Sequence, residues 1–128
     1  MNYYWIVAGG INLVAFVLHL VIGYTGSLVP LSQTGLNDIS MATIFAVWAM
    51  ATLVMAVSSI YLLYMGRHPY LNGTREMALL WGWLYVAFGF MFIGINIVYG
   101  FFSLPQWILL LPIGILALMG RKNVILSR

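Results

Sequence analysis

Asn12, His19, Trp48, Thr52, Asn96 and Tyr99 are side chains able to form directional hydrogen bonds that stand inside otherwise apolar stretches of this chain. Hydrocarbon penalises each of them, and an ionisable group so placed is a functional candidate by default. His19 is the only His, Asp, Glu, Lys or Arg well inside an apolar segment. It can act as a pH-sensitive hydrogen-bond partner for a ligand. The two asparagine amides, the Thr52 hydroxyl and the rings of Trp48 and Tyr99 can add polar and aromatic contacts to an amphiphilic molecule. The plainer alternative is that His19, Asn12 and Asn96 only fasten helices together, by bonds that average about 0.6 kcal/mol each in membranes.

Other chemistries lack their residues. The chain has no cysteine, which removes disulfides, thiolate metal sites and thiol redox reactions. Without paired carboxylates in the apolar stretches there is no zinc or di-iron set, and one buried His with one exposed Asp cannot make a Ser-His-Asp triad. Bis-His haem would require a second buried His, which only a symmetric oligomer can supply. The lack of an embedded Asp or Glu also argues against proton-coupled cation export of the small multidrug-transporter kind. No catalytic residue, metal site, cofactor or enzymatic activity is expected.

The spacing of these residues defines helical faces. Ala8, Asn12, Ala15, His19 and Gly23 recur at intervals of four, three, four and four, which places them along one side of a helix. Gly82, Tyr85, Gly89, Phe92 and Asn96 form a second such stripe, and Ala42, Ala49, Thr52, Ala56 and Ser59 a third with Trp48 beside it. Small residues at helical spacing let helices approach closely in lipid, so these are the faces expected to meet. Trp5, Tyr61, Tyr64, Trp81, Trp83 and Trp107 are expected in interfacial belts.

The elements that must carry these faces follow from composition. A hydrophobic fraction of 64%, a charged fraction of 5% and a mean hydropathy of +1.05 over 128 residues do not fit a soluble domain, whose surface must be largely polar. The expected fold is all-α: one transmembrane domain over residues 1–128, a polytopic four-helix bundle with spans of about 4–24, 40–65, 76–102 and 104–120. Residues 25–39 form the expected first loop, with Asp38 or Ser40 capping the second helix, Thr74 capping the third and Ser103 the fourth. The fourth span is short and contains Pro112. The first apolar run has no basic leader and is expected to be retained.

All five basic residues, Arg67, Arg75, Arg121, Lys122 and Arg128, fall in two short stretches that follow even-numbered spans. Positive residues are retained on the cytoplasmic side, so both termini are expected inside, with His19, Trp48, Thr52, Asn96 and Tyr99 in the outer half and Asn12 near the midplane. Asn72-Gly73-Thr74 matches a glycosylation acceptor but falls on the inner side. The net charge of +3 is better explained by orientation and anionic headgroups than by nucleic acid.

Ala8-Gly9, His19-Leu20 and Gly23 in the first span, the aromatic and glycine-rich third span, and Pro105-Gln106-Trp107 with Pro112-Ile113-Gly114 in the fourth together resemble small uncharacterised four-span integral membrane proteins of bacteria. That resemblance implies the four-helix fold and a bacterial inner (plasma) membrane, and it carries over no activity. The expected function is binding or transport of a small or amphiphilic molecule in an outward-facing pocket. The alternative is a structural or accessory subunit of a membrane complex. Membrane lipids and either a second copy of the chain or another membrane protein are the expected partners.

Overall fold

The computed structural model describes residues 1–100 and 105–126, with side-chain surroundings for 1–100 and 105–122. The described residues are helical with no strand. Helix α1 (Tyr3–Leu18), a π-helix (His19–Leu28) and a short α2 (Val29–Ser32) run on as one rod, followed by α3 (Asp38–Arg67), α4 (Thr74–Tyr99) and α5 (Trp107–Leu126). Tyr3–Ser32, α3 and α4 are each long and apolar enough to cross a membrane. This is a helical membrane protein. The 30 residues of α3 extend about 45 Å, more than the ~30 Å of a hydrocarbon core.

The helix ends differ from expectation where local chemistry is finely balanced. Helix persists through most of the loop expected over 25–39, because Leu28 and Val29 prolong the apolar run and Thr25 satisfies its hydroxyl on the Val21 carbonyl at 2.8 Å. The missing N–H of Pro30 falls in the first turn of α2, where the bonding register changes from π to α. The reversal is thereby confined to residues 33–37, with Gly35 at φ 74°. Asn37, rather than Asp38 or Ser40, caps α3 by accepting from the Ser40 N–H at 2.8 Å. Gly73, at φ 84°, occupies the cap position of α4, while the Thr74 hydroxyl lies 3.0 Å from the Pro69 carbonyl and 2.9 Å from that of Leu71. Helix α4 stops at Gly100, φ 109°, and α5 continues beyond Gly120 into the basic tail. The cap expected at Ser103, and the connection through Leu104, lie outside the described residues.

Helix α1 lies between α3 and α5, and α4 packs along α5 and also touches α3. Glycines set the closeness of these seams. A Cβ on Gly9 would lie 2.9 Å from the Leu63 backbone nitrogen, and one on Gly66 2.9 Å from that of Ile6, so α1 and α3 run antiparallel with their backbones nearly touching. On the other side, a Cβ on Gly114 would lie 2.7 Å from the Gly82 carbonyl oxygen. The core between them holds Trp5, Ala8, Ala15, Leu62, Met65, Tyr85, Ile113 and Ala117.

One end of the bundle is stitched by Asn2. Its backbone N–H donates to the Gly66 carbonyl at 2.7 Å, and its side-chain amide donates to the Gly120 carbonyl at 2.8 Å. Its side-chain oxygen caps α1 at the Trp5 N–H. Trp5 is fully buried, its indole N–H donating to the Ala117 carbonyl at 2.9 Å, so it belongs to the core and not to an interfacial belt. Arg67, Arg75, Arg121 and Lys122 all lie at this end, hereafter the basic end, whereas Asp38 lies at the opposite end of α3. Removing both the cap and the interhelical bond with Asn2→Ala is expected to cost about 1–2 kcal/mol, read as a lowered unfolding midpoint in detergent.

Candidate functional site

Two separate polar groupings lie along the α1–α3 seam. The first is a closed ring near the middle of α1. The Asn12 amide donates to the Ser58 hydroxyl at 2.8 Å and to the Met55 carbonyl at 3.3 Å, and the Tyr85 hydroxyl donates to the Asn12 side-chain oxygen at 2.8 Å. Ser58 and Tyr85 close the circuit at 2.6 Å. All three residues are fully buried. With the phenolic proton committed to Asn12, the Ser58 proton is available to the Tyr85 oxygen or to the Val54 carbonyl at 2.6 Å. Every donor is thus used, and three helices are tied at one point. A grouping so completely satisfied has no valence left for a ligand.

The second grouping is left unsatisfied. His19 begins the π-helix, and its ring stacks on Trp48 of α3 with centroids 5.7 Å apart and planes 22° from parallel. Phe45 and Tyr24 pack on the other sides of Trp48, at 5.8 and 6.1 Å. The His19 Nε2 and Trp48 Nε1 atoms are both shielded from solvent and both lack a hydrogen-bond partner. Buried polar atoms are nearly always paired, so two orphans on stacked rings leave a hydrogen-bonding demand that the described residues do not meet. Gly23 stands against the pair: a Cβ there would lie 2.9 Å from Trp48 Nε1 and 3.8 Å from His19 Nδ1. The π-turn widens the helix at this point, a distortion that recurs at functional positions. Indole offers a donor and neutral imidazole a donor and an acceptor, so the pair can hold a carbonyl, hydroxyl or ester oxygen against an aromatic wall.

The six residues singled out by sequence fall differently along the bundle. His19 and Trp48 are brought together, and Thr52 stands one turn from Trp48 with its hydroxyl on the Trp48 carbonyl at 2.8 Å. Asn12 belongs to the closed ring. Asn96 is buried on α4 and donates to the Phe92 carbonyl of its own helix at 2.7 Å. Tyr99 ends α4 and is 78% exposed. Sequence reasoning missed Ser58, choosing the adjacent Ser59, whose hydroxyl instead bonds the Met55 carbonyl at 2.7 Å. The signal was available in the pairing of an Asn and a Tyr with a mid-span Ser-Ser. One position along a helix is about 100° of rotation, which periodicity over small residues does not resolve.

Among the described residues no cluster of three or more His, Cys, Asp or Glu could hold a metal ion. Comparison with protein-family models, curated proteins and solved structures returned no match.

Proposed function

We propose that the chain crosses the membrane four times with both termini in the cytoplasm of a bacterial cell. It binds a small amphiphilic molecule at the His19–Trp48 pair, in the outer half of the bilayer. The observation that carries this reading is the pair of shielded, unpartnered ring nitrogens, His19 Nε2 and Trp48 Nε1, on stacked rings beside Gly23. The orientation rests on the four cations at the basic end against Asp38 at the other. A polar oxygen of the ligand takes the two nitrogens, and its apolar part lies along Phe45, Tyr24 and the lipid-facing side chains of the π-helix.

The test is the content of protein purified in mild detergent, extracted and analysed by mass spectrometry. Wild-type protein should retain a defined amphiphile, and folded His19→Leu and Trp48→Phe should each retain roughly tenfold less, the loss expected for about 1.4 kcal/mol of polar contact. Equal retention by folded variants would remove the reading. A stoichiometric larger membrane protein in the same preparation would favour the accessory role instead.

A further inference from the structure

The α4–α5 seam has a register that brings two arginines to its basic end, equally far along their helices from the point of closest approach. Gly82 and Gly114 are the point of closest approach, since a Cβ on either would meet the other's carbonyl oxygen, at 3.2 and 2.7 Å. The helices are antiparallel, with Gly89 against Leu111 above that point and Gly82 against Leu118 at it. Seven residues toward the basic end along each helix, two turns on the same face, stand Arg75 and Arg121. Both are half-buried, and the Nε atom of each is shielded from solvent with no hydrogen-bond partner.

No ion pair to a described residue relieves them. The chain has two acids; Asp38 lies at the far end, and Glu76 is exposed. Two cations held at the same end of a tight helical seam repel, and their shielded Nε–H donors cost free energy while unmatched. Planar donor forks of this kind suit tetrahedral oxyanions, which they bind bidentately. The first turn of α4, which carries Arg75, also has no side-chain cap.

We infer that Arg75 and Arg121 form a clamp for a phosphate group at the basic end of the α4–α5 seam. The shared ligand chemistry is a phosphate ester or phosphate ion, whether from an anionic lipid headgroup or from solution. Bound phosphate removes the repulsion, satisfies both side chains and joins the start of α4 to the end of α5. This site is independent of the His19–Trp48 pair, and either can fail without the other.

The experiment measures thermal unfolding of the full chain in an uncharged detergent. The probes are dioleoyl-phosphatidylglycerol, inorganic phosphate, and a dioleoyl-glycerol control that lacks phosphate. Without probe, Arg75→Gln and Arg121→Gln should melt at or above the wild-type temperature, because the repulsion is gone. A phosphate-bearing probe should raise the wild-type midpoint and leave either variant nearly unmoved, with apparent affinity at least about tenfold weaker. Exposed Arg67→Gln should respond as wild type. A response to phosphatidylglycerol alone identifies a lipid headgroup, and a response to both probes identifies the phosphate moiety itself. The clamp is overturned if neither probe stabilises wild type, if the glycerol control does so equally, or if Arg67→Gln loses the response as fully as Arg75→Gln.

Discussion

Gly114→Ala is expected to unfold well below wild type, with a loss of about 1–3 kcal/mol despite the better helix propensity of alanine. The added methyl would lie 2.7 Å from the Gly82 carbonyl oxygen, 2.8 Å from the Val86 backbone nitrogen and 2.8 Å from a Val86 methyl. Two of those atoms are backbone and have no rotamer to change, so α4 and α5 must separate along their length. In lipid there is no hydrophobic force to offset the lost packing, because tails are as apolar as the side chains they replace. Gly94→Ala supplies the comparison. It stands on α4 with nothing within 4 Å of its Cβ position, so the same substitution should be neutral or stabilising by up to about 1 kcal/mol. Equal midpoints for the two variants would mean that the seam is looser than its register requires.

Asn12→Leu is expected to destabilise by about 2 kcal/mol, since it removes three hydrogen bonds at once and membrane interhelical bonds average about 0.6 kcal/mol with a maximum near 1.7. The loss is bounded because Ser58 and Tyr85 still hold each other at 2.6 Å, and Ser58 keeps the Val54 carbonyl. Tyr85→Phe should cost about 1 kcal/mol, leaving the Asn12 oxygen without its donor. The informative quantity is the double variant. If the ring acts as a unit, Asn12→Leu with Tyr85→Phe should be less destabilising than the two single losses added, by at least about 0.5 kcal/mol. Strict additivity in denaturation midpoints would mean that the residues contribute only by packing. Neither change should alter retention of an amphiphile at His19, because the ring is closed to ligands.

The contrast between these two groupings bears on how the molecule divides its tasks. Toward the basic end, Asn2, Trp5, Gly9, Gly66 and Gly120 bring α1, α3 and α5 into close contact through backbone carbonyls and glycines. Beyond Leu18 the rod loses α-helical register, and most of its side chains, together with those of the facing part of α3, are exposed. The tightly packed part holds the architecture. The looser part carries the unpartnered nitrogens on which the proposed binding site rests.

Composition alone established a helical membrane protein, because 64% hydrophobic residues with 5% charged ones leave no polar surface for water. Periodicity also marked the inward faces: Ala8, Asn12 and Ala15 are buried, as are Gly82, Tyr85, Gly89 and Asn96. The clustering of cations at one end was legible too, since it depends only on the order of apolar runs. The partners across each seam were not. Ser58 rather than Ser59 meets Asn12, and Trp5 enters the core, because glycines distant in sequence set where two backbones come closest. Local pattern records which side of a helix is small or polar. The register between two helices is a property of their joint packing, and only the tertiary structure decided that His19 meets Trp48 with both ring nitrogens unmatched.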